Sequence, residues 1–183
     1  MKQIITGMLL LIATTAFSQE FDGIKIEGSK STFIKAMSDK GYSVKEDKGN
    51  IVTFNGNSTH KSLEILAVMT PTSQLVWKLD IFLPKETSWY SIKAQYNNYL
   101  STLTEKYGSP DKTYGFFSDP YVEGDGYEMT ALSVEKCTYM ALWNSSGLLL
   151  AISKYSQVEI SYENLTNSDL DTKEKNQADK QTF

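Results

Sequence analysis

Residues Ser88 to Tyr107 read SWYSIKAQYNNYLSTLTEKY. Trp89, Ile92, Tyr96, Tyr99, Leu100, Leu103 and Tyr107 recur in steps of three and four, which sets them on one stripe of an α-helix. Thr87 or Ser88 offers an oxygen to the first free N–H groups as N-cap. Gly108 supplies a left-handed stop, and Pro110 blocks continuation. β-rich segments lie on both sides, so this helix is expected to hold two halves of one domain together.

On the N-terminal side, Leu75 to Leu83 alternates. Leu75, Trp77, Leu79, Ile81 and Leu83 share one face, Lys78 and Asp80 the other, and Pro84 ends the strand. Lys61 to Met69 puts Leu63, Ile65 and Ala67 on one face, before a loop at 70–73. Further back, Ile51 to Asn55 reads as a strand between turns at Lys48-Gly49-Asn50 and Gly56-Asn57. Tyr42 to Asp47 reads as a strand with Tyr42 and Val44 inward. A first helix carries Phe33, Ile34, Ala36 and Met37, capped by Ser29 or Ser31 and ended by Gly41. Phe21 to Glu27 alternates as a short strand.

On the C-terminal side, Asp111 to Phe117 reads as a strand and Ser118 to Glu128 as a loop. Met129 to Glu135 fits either a helical turn or a strand. Thr138 to Trp143 alternates around Tyr139, Ala141 and Trp143. A turn at 145–147 leads to a final hairpin, Leu148 to Lys154 and Gln157 to Tyr162. The expected class is α+β: an antiparallel sheet with two helices on one face, in two α-β-β-β-β halves covering about 21–86 and 87–163. From Asn164 onward apolar residues are almost absent, and 168–183 is expected as a disordered tail.

Residues 1–18 are expected to be a signal peptide rather than part of the fold. Lys2 is a basic start, Ile4 to Ala16 an apolar run too short to span a membrane, and Ala16-Phe17-Ser18 a cleavage pattern. Residues 19–167 then form a single domain, periplasmic or secreted, with no membrane span. Cys137 is the one cysteine, so no intramolecular disulfide forms, and its setting in VEKCTYMALW reads as a small buried hydrophobe. Without Lys2 the charge is 17 lysines against 22 acids, or −5, which disfavours nucleic acid as a partner. The chain has no arginine, the usual residue for bidentate recognition of phosphate.

Four stretches carry a resemblance: GIKIEGSKSTFIKAMSDKGY (23–42), LTEKYGSP (103–110), GDGYEMTA (124–131) and VEISYEN (158–164). On these the chain resembles a family of uncharacterised secreted proteins of the Bacteroidetes, which implies export and no particular activity. The repeated helix-then-sheet layout is also similar to the β-lactamase-inhibitor-protein-like fold, which implies a concave sheet offered to a protein partner.

Catalytic signals are sparse. His60 is the only histidine and sits in the polar stretch NSTHKS, which reads as an exposed loop rather than a catalytic base. Ser-x-x-Lys occurs at Ser58, Ser109 and Ser133, a frequency expected by chance, and its companion motifs are missing. Asp119, Glu123, Asp125 and Glu128 gather carboxylates in one loop, but not at EF-hand spacing. No metal or cofactor is expected. The stretch YGFFSDPYVEGDGY (114–127) is crowded with aromatics and turn formers, and flat rings with polar rims suit contact surfaces. Tyr114, Phe116, Phe117, Tyr121 and Tyr127 are therefore the candidate binding residues. The expected function is a non-catalytic binding module for a protein, peptide or glycan of the cell envelope. The alternatives are a carboxylate-based hydrolase and a structural envelope protein with an assembling edge strand.

Overall fold

The computed structural model describes residues 19–58 and 61–182. The expected signal peptide and His60 lie outside the described residues. A small hairpin, β1 (Glu20–Phe21) and β2 (Ile24–Lys25), precedes α1 (Lys30–Asp39). Four strands follow: β3 (Ser43–Asp47), β4 (Ile51–Ser58), β5 (Lys61–Met69) and β6 (Val76–Phe82). After α2 (Trp89–Tyr107) come β7 (Lys112–Phe117), the short α3 (Glu128–Ser133), β8 (Cys137–Trp143), β9 (Leu148–Ser153) and β10 (Gln157–Glu163). The chain ends in α4 (Leu165–Thr182).

Both main helices form where their caps say they should. Ser29 Oγ accepts the Thr32 N–H at 3.3 Å, and Ser88 Oγ accepts the Ser91 N–H at 3.1 Å. Gly108 ends α2 with φ +81°, and its carbonyl accepts the Trp143 indole N–H at 2.7 Å, which ties the helix end to β8.

The eight larger strands make one antiparallel sheet in the order β3-β4-β5-β6-β10-β9-β8-β7. Each half is a meander after its helix, and the halves meet through their last strands, with Ile81 opposite Ile160. The layout is therefore mirrored about the β6–β10 seam. One face of the sheet builds the core, from Phe54, Ile65, Leu79, Ile160, Leu150 and Ala141. Phe33 and Met37 of α1 and Ile92, Tyr96 and Leu103 of α2 join that same core. Each such side chain contributes roughly 1.5–3 kcal/mol by leaving water.

The single strand expected over 21–27 is instead the β1–β2 hairpin, turned at Asp22 and Gly23 with positive φ, and four further local expectations change. Val44 stands opposite the core residue Phe54, as expected, but is 43% exposed rather than buried, because β3 is the sheet edge. Gly56 and Asn57 continue β4 instead of turning. Glycine is needed there because a Cβ on Gly56 would stand 2.2 Å from Cδ1 of the buried Tyr42. Trp77 leaves the core face because the ladder shifts between Val68 and Met69, which sets the buried Val76 opposite Met69.

The fourth is the tail, which is helical. Asn164 Oδ1 caps it by accepting the Asn167 N–H at 3.1 Å, and Asn167 Nδ2 donates to the Val76 carbonyl at 2.7 Å. The Glu174 carboxylate accepts the Thr72 N–H at 2.6 Å and the Ser73 N–H and hydroxyl. Lys175 lies 5.6 Å over the Trp77 ring. Directed polar contacts hold this helix where apolar burial is lacking.

Candidate functional site

The β-strand period sends alternate residues to opposite faces, so the sheet has a second face turned away from the core. Across it the register sets Tyr114, Met140, Ala151, Glu159, Phe82 and Glu64 in one row. The next row runs Lys112, Leu142, Leu149, Ser161, Asp80 and Leu66. Leu66, Phe82, Met140, Leu142, Leu149 and Ala151 are half-buried and stand apart from the core cluster. They form a second apolar set on the open face, four on β8 and β9 and two on β5 and β6, with the polar Glu159 and Ser161 of β10 between them. Solvent-facing sheet positions are ordinarily polar.

A polar spot interrupts this surface. The Lys78 ammonium lies 3.1 Å from Asp80 Oδ1, and the Ser161 hydroxyl donates to the same oxygen. Glu159 stands one step along, and its pKa is raised, first by burial and then by the Asp80 charge. These groups are anchored within an apolar rim, an arrangement that orients a docked surface.

The five candidate residues separate. Tyr114 (40% exposed) and Phe116 (48% exposed) lie on the open face of β7 and extend the apolar rows to the sheet edge. Tyr127 is 63% exposed at the start of α3. Phe117 points to the other face, 5.3 Å edge-on to Trp89 and 6.3 Å from Tyr139. Tyr121 packs partly buried against the core. Tyr114 and Phe116 thus share one face, and Phe117 and Tyr121 are not part of it.

The acidic loop spends its carboxylates on its own structure. Asp125 accepts the Val122 N–H at 3.0 Å and the Tyr127 N–H at 2.7 Å, and Glu128 accepts the Gly124 N–H at 2.8 Å. Glu123 accepts from the Trp89 indole at 3.0 Å, from the Tyr139 hydroxyl at 3.1 Å and from the Lys93 ammonium. The Lys93 contact, then the Trp89 one, holds the Glu123 pKa below its usual range. Lys93 also sits 5.4 Å over the Tyr139 ring, and Tyr96 meets that ring edge-on at 5.9 Å. This aromatic box pins the loop to α2 and β8. Among the described residues no group of three or more His, Cys, Asp or Glu is placed to hold a metal ion, and no helix is long and apolar enough to cross a membrane.

The residues that sequence reasoning passed over are Phe82, Met140, Leu142, Leu149 and Ala151. Their signal was present: TYMALW (138–143) and LLLAIS (148–153) are apolar at nearly every position, the pattern of strands buried on both faces. Comparison of the chain with protein-family models, with curated proteins and with solved structures finds no match in any of the three.

Proposed function

We propose that the protein is an exported, non-catalytic binding module whose open sheet face docks a protein or peptide of the cell envelope. One observation carries this reading: the second apolar set, Leu66, Phe82, Met140, Leu142, Leu149 and Ala151, on the face away from the core. An apolar surface with a few polar groups set into it is a physical mark of a docking site. Tyr114 and Phe116 extend it, and the Lys78–Asp80–Ser161 spot supplies directional contacts within it. The signal-peptide pattern of residues 1–18 and the resemblance to an exported family support the location.

The test places a photo-crosslinking phenylalanine analogue at Phe82, on the open face, or at Lys35, on the exposed side of α1. Illumination in the native envelope should give a discrete protein-sized adduct from position 82 and none from 35, and Met140→Lys should abolish it. Equal adducts from both positions, or none from either, would overturn the reading. Thermal stabilisation by short glycans without an adduct would reassign the face to sugar; a ligand at a hundred times its Kd contributes about 2.7 kcal/mol.

A further inference from the structure

The sheet has two edges, and they differ in kind. β3 reads SVKED, is bulged between Val44 and Glu46, and carries the Lys45–Glu64 and Lys48–Glu46 ion pairs. These are the devices that keep an edge from pairing. β7 reads KTYGFF, pairs with β8 without a register shift, and exposes Tyr114 and Phe116. Among the described residues no strand pairs with its outer side.

The ladder gives the direction of its free backbone groups. The Ser118 N–H donates to the Lys136 carbonyl at 2.8 Å, one step beyond the Phe117–Cys137 pair. Bonding alternates along an antiparallel pair, so Lys112, Tyr114 and Phe116 bond to β8. Thr113, Gly115 and Phe117 therefore point their N–H and C=O groups outward.

We propose that β7 is a dimerisation edge, pairing antiparallel with β7 of a second copy of this chain about a two-fold axis at Gly115. Two registers overlap these strands almost fully and match outward groups with outward groups. An axis at Tyr114 would set Lys112 against Phe116 and Asp111 against Phe117 of the other copy, burying charges on rings. An axis at Gly115 sets Tyr114 against Phe116 on the open face and Thr113 against Phe117 on the other. It also brings Lys112 beside Ser118 of the second copy, while Asp111 and Asp119 of the two copies face each other beyond the ends of the paired strands, with Lys112 in reach of Asp119. Cross-strand aromatic pairs favour the second register. Gly115 at the axis leaves the Tyr139 ring, 3.4 Å from where a Cβ would stand, as the cover of the crossing. The two outer edges of the dimer are then both β3, so assembly closes at two copies. This inference is independent of the ligand of the open face, which becomes continuous across the axis.

Sedimentation velocity on the purified protein at about 100 μM should give a dimer mass, a concentration at which even a weak specific pair populates. Thr113→Pro removes an N–H that β8 does not use and should weaken the dimer about tenfold or more while preserving the far-UV spectrum. Phe116→Lys should do the same from the side-chain side. Gly115→Cys should form an intermolecular disulfide under mild oxidation, since facing bonded residues lie about 5.5 Å apart. Tyr114→Cys and Lys45→Cys should not. A monomer at that concentration, a dimer indifferent to both Thr113→Pro and Phe116→Lys, or crosslinking at Lys45→Cys or Tyr114→Cys in place of Gly115→Cys overturns the proposal.

Discussion

Gly56→Ala adds one methyl group, and the structure specifies where it goes. Its carbon would lie 2.2 Å from Cδ1, 2.8 Å from Cε1 and 3.1 Å from Cγ of Tyr42. Ordinary carbon contacts begin at about 3.5 Å, so ring or strand must withdraw by about 1.3 Å. The ring is poorly placed to yield. Tyr42 is buried, its hydroxyl donates to Asp22 at 3.2 Å, and Phe21 packs against it with ring centroids 5.6 Å apart. Overpacking of this kind costs about 3 kcal/mol. For a domain of this size that lowers Tm by about 6–12 °C. Gly56 does not have positive φ, so no backbone strain adds to the cost. Urea unfolding of a double-mutant cycle isolates the contact. Tyr42→Ala alone should cost about 3–5 kcal/mol. In that background Gly56→Ala should cost nothing, or stabilise by about 0.5 kcal/mol as the unfolded chain loses freedom. If Gly56→Ala costs the same with and without the Tyr42 ring, or is harmless in the parent, the steric argument for this glycine fails.

Three further outcomes follow from the charged and buried groups. Glu159 has a pKa raised by burial and by Asp80, so its charged form is the disfavoured one in the folded state. Folding stability should fall as pH rises through that raised pKa, and Glu159→Gln should raise Tm at pH 7 but not below pH about 4, measured by calorimetry. Glu174 is the opposite case: the Ser73 hydroxyl and the Thr72 and Ser73 N–H groups hold its pKa down. Its clamp is complete above the ordinary carboxylate pKa and is lost as pH falls through the lowered one. Amides of α4 should exchange faster in acid, and Glu174→Gln should reproduce that loss at neutral pH; unchanged protection would refute the clamp. Cys137, with a pKa pushed up to about 12 by burial and by Glu123 and Glu128, should resist a thiol reagent at pH 8 until the protein is unfolded.

What the sequence made legible is what local chemistry encodes. Ser29 and Ser88 cap, Gly108 stops, and α2 places Ile92, Tyr96 and Leu103 inward as its spacing implied. Lys61–Met69 buries Leu63, Ile65 and Ala67 as its alternation required. The rest depended on distant partners. Gly56 looked like turn punctuation, yet the ring that demands it is Tyr42, on the neighbouring chain segment. Trp77 obeyed strict alternation in sequence and was displaced by a bulge that only the β5–β6 ladder defines. The tail lacked apolar residues, and the Thr72–Ser73 donors that anchor Glu174 lie about a hundred residues away. The same limit applied to the candidate site. Tyr114, Phe116 and Phe117 are almost adjacent, and period two sends Phe117 to the opposite face.

The mirrored architecture makes the molecule its own control. β3 and β7 are the first strands of their halves, each follows a helix, and each ends up at an edge of the same sheet. A scaffold that only needed protection from stray pairing would treat the two alike. It charges and bulges β3, while it leaves β7 straight and lines it with Tyr114 and Phe116. The faces of the sheet repeat the contrast. The half near β7 carries Met140, Leu142, Leu149 and Ala151 outward, where the half near β3 carries Leu66 and Phe82 beside Thr53, Asn55 and Glu64. Exposed apolar surface adds nothing to the stability of an isolated fold and raises its risk of aggregation. Four of the six apolar residues of that face, together with Tyr114 and Phe116, lie in the half that ends at β7, and on that asymmetry the proposed docking face and the proposed pairing edge both rest.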